Sequence, residues 1–157
     1  MKKLIASWLG VLILAGASAG SFPAKDGIVG TWNTYDQQGT LESRVEIYKE
    51  KDKYFGKIVS LTEPTWPAAD DQGMAGKPKN DRHNPNADLR SRRIIGMQIM
   101  HDFIYNAGKN VWEDGRIYDP ESGKTYKCKL TLTSTNKLEV RGYIGISLLG
   151  RTEIWTR

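Results

Sequence analysis

The sequence predicts an all-β protein, an eight-stranded antiparallel up-and-down barrel. Three observations carry that prediction. Short runs rich in Val, Ile, Tyr, Trp and Thr recur along the chain, separated by clusters of Gly, Asn, Asp and Pro. No stretch of useful length after the first nineteen residues has a helical period. Nearly all the connections are short enough for hairpins. A meander of eight neighbouring strands can hide its two edges by closing on itself, which favours a barrel over an open sandwich.

The first strand covers Gly30 to Tyr35 and ends in a turn at Asp36-Gln37-Gln38-Gly39. The second covers Leu41 to Tyr48, with Val45 and Ile47 on one face and Arg44 and Glu46 on the other. Charged residues from Lys49 to Lys53 connect it to the third, Tyr54 to Leu61. A long irregular stretch then runs from about Thr62 to Arg93 and holds Pro64, Pro67, Pro78 and Pro85. A connection of that length in a small domain is usually functional or mobile. Strands resume at Ile94 to Tyr105 and Asn110 to Tyr118. Asp119-Pro120-Glu121-Ser122-Gly123 is a strong turn signal, because Pro presets φ and Gly supplies a positive φ. In Lys124 to Thr133, Tyr126, Cys128, Leu130 and Leu132 alternate with Lys127, Lys129, Thr131 and Thr133, so one face is buried and the other wet. Leu138 to Ile144 and Gly150 to Arg157 complete the set, with Leu138, Val140 and Ile144 as core.

The first nineteen residues stand apart. Lys2 and Lys3 precede an uncharged apolar run, Leu4 to Ala15, and Ala17-Ser18-Ala19 supplies the small residues that a signal peptidase reads. The expectation is a cleaved secretory signal over residues 1–19 and a single mature domain over 20–157, periplasmic or secreted. The run is too short for an ordinary transmembrane helix, and no second one comes after it. Losing Lys2 and Lys3 lowers the net charge of +5 by two. No dense basic stripe of the kind that reads nucleic acid is evident. Cys128 is the only cysteine, so no intramolecular disulfide forms and the domain relies on its core.

Two resemblances reach further. Gly30-Thr31-Trp32 opens the first strand, and a Gly-x-Trp there resembles the lipocalins and related barrel binders. The resemblance implies an Arg from the last strand packed across Trp32, with Arg151 and Arg157 as candidates. Four further blocks resemble the bacterial exported family called domain of unknown function 2147 (DUF2147). They are Asp81-Arg82-His83-Asn84-Pro85-Asn86 with Leu89-Arg90-Ser91-Arg92 and Ile95-Gly96, then Gly115 to Pro120, then Gly123 to Tyr126, then Arg141 to Thr152. That resemblance implies a fold and a compartment but no chemistry.

Catalytic groupings are sparse. The two histidines, His83 and His101, have no metal-ligand spacing, and no nucleophile motif is present. Cys128 lies among Tyr126, Leu130 and Leu132, which reads as a core thiol. The long loop gathers Asp70, Asp71, Asp81, Asn84, Asn86 and Asp88, yet in no Ca²⁺-loop spacing, and Asn and Asp also make ordinary turns. Its Arg90, Arg92 and Arg93 can either meet an anionic head group or pair with the loop's own carboxylates. In the strands, Trp112, Asp114, Arg116 and Tyr118 alternate onto one face, as do Glu139, Arg141 and Tyr143, and Arg151, Glu153, Trp155 and Arg157. Such a face is either solvent-facing or the polar and aromatic lining of a barrel.

The leading functional expectation is an exported binder of a small apolar or amphiphilic molecule with an anionic end. No cofactor, metal or catalytic step is called for. The candidate ligand-binding residues are Trp32, Trp112, Arg116, Tyr118, Arg141, Tyr143 and Arg151, with Asp81, Asn84, Arg90 and Arg92 from a loop that covers the mouth. An interaction protein with a filled barrel is the alternative, and an enzyme using Asp81, His83 and Arg residues is a third. An open pocket larger than roughly 300 Å³ separates the first from the second.

Overall fold

The computed structural model describes residues 25–157; the expected signal and its cleavage point lie outside the described residues. Eight strands, β1 (Gly30–Tyr35), β2 (Leu41–Glu50), β3 (Lys53–Leu61), β4 (Gln98–Asn106), β5 (Val111–Asp119), β6 (Lys124–Ser134), β7 (Lys137–Tyr143) and β8 (Arg151–Thr156), close in chain order into an antiparallel barrel. The closing seam is thin: β1 and β8 share one register pair, Asn33 with Thr156. Among the described residues no helix is long and apolar enough to cross a membrane.

The strands match the expected bounds closely except at β4, expected from Ile94. Residues 94–97 instead form a turn, with Met97 N–H donating to the Ile94 carbonyl at 3.1 Å and Gly96 at φ +90°. Ile94 and Met97 still bury their side chains, so the apolar run is explained without a strand.

Alternation holds along β2, β6 and β7. Val45, Ile47, Cys128, Leu130, Leu132, Leu138 and Val140 point inward and are buried. It fails in β4 and β5. Asp102 and Asp114 take left-handed φ values of 63° and 62°, and the ladder between β5 and β6 slips between Trp112 and Gly115. Asp tolerates this conformation better than most residues, and an extra residue in a strand moves the residues after it to the other face. Met100 and Phe103 are therefore both inside, as are Trp112 and Gly115. The Phe103 ring lies where a Gly115 side chain would be, which is why glycine is required there. The expected common face of Trp112 and Arg116 does not exist: Trp112 is buried and Arg116 is outside, paired with Asp102 at 3.3 Å.

One end of the barrel is sealed. Trp32, Tyr54, Phe103 and Trp112 fill it, with Ile28 buried beneath. Trp32 Nε1 donates to the Ile28 carbonyl at 2.8 Å, and Trp112 Nε1 to that of Lys25 at 3.2 Å. The Tyr54 hydroxyl reaches the Lys25 carbonyl and the Asp26 carboxylate, both at 2.7 Å. Burial, then the bond to Asp26, pushes the Tyr54 phenol well up. The Arg157 guanidinium lies 4.3 Å from the Trp32 ring centroid and donates to the carbonyls of Gly27, Val29 and Thr135. Of the two candidates, Arg157 is the arginine that crosses Trp32.

Candidate functional site

The other end of the barrel is open. The β1–β2, β3–β4, β5–β6 and β7–β8 connections gather there, as an up-and-down meander dictates. Between them and the aromatic plug lies a cavity of about 1080 Å³. Its floor is aliphatic, with Val45, Ile58, Ile99, Ile117 and Val140 contributed by five different strands and nearly covered, while its upper walls and mouth are mostly polar. Trp155 forms another part of the wall, and its buried indole N–H has no acceptor within the protein. Thr34 and Ser43 add hydroxyls that bond each other at 2.7 Å. A cleft of this size that joins an apolar floor to a polar, solvent-open mouth has the character of a small-molecule site.

Carboxylates dominate its rim. Asp36, Glu42, Glu63, Asp119, Glu121 and Glu153 line it, against Lys79 and Arg151. Glu153 faces inward because it pairs with Val140 across β7 and β8. Partial desolvation within the mouth and then the negative charges of Glu121, Glu153 and Asp36 hold the carboxyl of Glu42, an exposed residue of the rim, above its ordinary range. Arg151 lies 3.6 Å from Glu153, the ion pair that tempers this field. Among the described residues no group of three or more His, Cys, Asp or Glu stands close enough to hold a metal ion.

The long β3–β4 connection covers the mouth as a folded segment. Trp66, Lys79, Asn80 and His83 from it line the cavity. Trp66 is its small core: Arg82 stacks 3.1 Å from the ring centroid and Asn80 accepts from Trp66 Nε1 at 2.9 Å. Arg82 also pairs with Asp70 at 2.7 Å. The Met74 backbone N–H, then Arg82, lower the Asp70 carboxyl. A second fastening binds the loop to the barrel. The fully buried Asp81 carboxylate accepts from the Tyr118 hydroxyl at 2.6 Å, Arg92 at 2.7 Å and Asn84 at 2.8 Å. Burial and this bond push the Tyr118 phenol up to about 12.

These contacts decide where each candidate residue belongs. Tyr118, Tyr143 and Arg151 line the cavity. Trp32 and Trp112 do not reach it, being plugs at the sealed end. Arg116 and Arg141 stand outside the barrel. Arg141 donates to the Ser147 carbonyl at 2.7 Å, to the Leu148 carbonyl at 3.1 Å and to Thr152 Oγ1 at 2.7 Å. Asn84, Arg90 and Arg92 bond within the loop, and Asp81 ties it to Tyr118 of β5: Asn84 Oδ1 accepts from the Asn86 N–H, and Arg90 Nε donates to the Asn84 carbonyl. Of the three mixed-charge faces, that of β8 is the lining one, since Arg151, Glu153 and Trp155 all meet the cavity. Glu42 and Glu121 were not expected at the site; they lie far apart in sequence and only barrel closure brings them together.

A solved structure described as "Protein HP1028 from the human pathogen Helicobacter pylori belongs to the lipocalin family" is similar to this chain, with a TM-score of 0.66 and 27% identity over 82% of this chain and 81% of that one. No curated protein matches the sequence. The model of a bacterial family described as "Uncharacterized protein conserved in bacteria (DUF2147)" matches residues 30–157. With its closed lipocalin-like barrel and a match running from the first strand through the last, the chain belongs to the DUF2147 family.

Proposed function

We propose that the protein is an exported carrier or sensor that binds a small, largely apolar molecule in its barrel and does no chemistry on it. The open cleft of about 1080 Å³ with an aliphatic floor is the observation that carries this reading. It is far above the roughly 300 Å³ at which ligand pockets begin, so a filled-barrel interaction module is disfavoured. The likeness to a lipocalin-family protein supports it. Absence of catalysis is supported by the reactive groups themselves. Cys128 is sealed in the core, with burial pushing its thiol up to about 12. Asp81 is committed to Tyr118, Arg92 and Asn84.

The polar end of the ligand reads differently from the sequence expectation. An anionic end rested on arginines, of which Arg116 and Arg141 point away from the cavity, Arg90 and Arg92 bond groups of the loop, and Arg151 alone lines the cavity, beside Glu153. The rim carboxylates favour a neutral or cationic end instead, such as a protonated amine. Titration of delipidated protein with alkyl amines, alcohols and carboxylates of matched length, read by calorimetry, tests this. The expected order is amine, then alcohol, then acid. Each added methylene contributes about 0.8 kcal/mol, roughly fourfold in affinity, until the cavity is full. Glu153→Gln narrows the gap between amine and alcohol. Lowering the pH through the raised range of Glu42 weakens amine binding, because its carboxylate takes up a proton. No saturable binding by any amphiphile refutes the carrier reading; tightest binding by the acid refutes the cationic end alone.

A further inference from the structure

The β7–β8 connection presents Ile144, Ile146, Leu148 and Leu149 at 71%, 62%, 81% and 79% exposure. Four large apolar side chains within six residues bury almost nothing. The segment is nonetheless held in place. Arg141 reaches out from β7 and donates to two of its carbonyls, Ser147 and Leu148, and to Thr152 at its far side. Residues 147–149 form a single 3-10 turn, with the Gly150 N–H returning to the Ser147 carbonyl at 3.3 Å. Gly150 permits this close return, since any side chain there would meet the Gly142 carbonyl and Tyr143 Cβ. A turn fastened so that its greasy residues face water has an occupant elsewhere, because exposed apolar clusters of this kind mark contact surfaces.

A second observation identifies that occupant. On the outer face beside the turn, Lys129 stands directly opposite Arg141, and Lys127 stands opposite both Arg116 and Tyr143. Like charges facing each other across a sheet are destabilising. Lys127 and Lys129 join none of the ion pairs among the described residues. The wall under the apolar turn is therefore a patch in which positive charge outnumbers negative, with Glu113 and Glu139 offsetting part of it and Tyr143, which also reaches the cavity rim, at its upper edge. Apolar tips, an aromatic at the boundary and a basic flank are the three features of a surface that rests on an anionic bilayer.

We propose that the β7–β8 turn and the basic face of β6 and β7 form a docking surface for an anionic lipid membrane. The apolar side chains enter the acyl boundary and Lys127, Lys129 and Arg141 meet the head groups. Ile144 and Leu149 also line the cavity rim, so docking brings the turn's side of the mouth to the membrane. An apolar molecule then passes between bilayer and barrel without crossing bulk water.

The test reads the turn itself. Leu148→Cys gives a labelling site for an environment-sensitive fluorophore, since Cys128 is buried. Thr133→Cys, exposed at the far end of β6, is the control. With vesicles of phosphatidylethanolamine and phosphatidylglycerol, the label at 148 shifts to the blue and brightens severalfold while the control does not. Replacing Lys127 and Lys129 with Gln weakens the response by roughly fivefold per lysine. Vesicles of phosphatidylcholine alone bind at least tenfold more weakly. A label at 148 that stays in water with every vesicle overturns the proposal. So does a blue shift that rises with protein concentration without vesicles, which assigns the turn to a second copy of the chain. Equal responses to both lipid compositions overturn the role given to the basic face.

Discussion

Replacing Asp81 with Ala removes the fastening between the mouth-covering loop and the barrel wall, and its cost can be worked out from the contacts. The carboxylate has no exposed surface and accepts three side-chain hydrogen bonds. Asp81→Ala leaves the Tyr118 hydroxyl and the Asn84 amide without an acceptor. A buried polar group left unsatisfied costs about 1–3 kcal/mol. The Arg92 side chain is 40% exposed and turns to water, adding little. The expected loss is therefore about 2–6 kcal/mol, a large fraction of the 5–15 kcal/mol typical of a domain. Urea unfolding of Asp81→Ala, Tyr118→Phe and the double variant measures it. Groups in one network couple, so the double variant should fall short of the sum by about 1 kcal/mol or more. Arg92→Ala leaves the buried Asp81 carboxylate without its cation and should cost about 3 kcal/mol. A loss below about 1 kcal/mol for Asp81→Ala, or strict additivity with Tyr118→Phe, would show that the loop is held by something else.

Other contacts yield further expectations. Val140→Phe, which adds bulk to the cavity floor, should abolish amphiphile binding in calorimetry and, because Val140 is also packed in the core, lower stability by about 1–3 kcal/mol. Cys128 should resist thiol reagents in the native protein and react fully in denaturant, and rapid native labelling would mean that the β6 face is inverted. Tyr118 holds its proton to about pH 12 when folded but only to about 10 when unfolded, so folding binds the proton more tightly. Its contribution is full below pH 10 and declines as the pH rises toward 12, and Tyr118→Phe should flatten that part of the stability profile. Protein from the envelope fraction should have an intact mass beginning at Gly20; a mass retaining Met1 would contradict cleavage.

The strand count and turns were legible because each rests on local chemistry: β-branched and aromatic runs, Asp-Pro-x-Ser-Gly, and the alternation of β6. Three things were not. The bulges at Asp102 and Asp114 break the two-residue period, so projecting alternation through β5 put Arg116 beside Trp112. The Asp114-Gly115 pair was the available warning, since that dipeptide inside a strand pattern marks a bulge or turn. Ile144 looked like the next core position after Val140, but the strand stops at Tyr143 and the residue joins an exposed turn. Which mixed-charge face lines the barrel depends on how eight strands close. Glu42, Glu121 and Glu153 meet only then, and no spacing in the sequence records it.

The latch at the sealed end bears on how the chain comes to be folded. Arg157 bonds the carbonyls of Val29 and Gly27, partners 128 and 130 residues away in sequence. Beside it, β1 and β8 contribute a single ladder pair. The hairpins from β2 through β7 are contacts between neighbours and can assemble as the chain extends. The final closure joins two distant segments and carries among the largest loop entropies of any contact among the described residues. Non-local pairing of this kind slows folding, so the rate-limiting event should be the meeting of β1 with β8. Until then both edge strands present unpaired backbone groups, the form in which a chain is most exposed to pairing with its neighbours. Substitutions in the Arg157–Trp32 contact would therefore show as aggregation on refolding before they show as a loss of equilibrium stability.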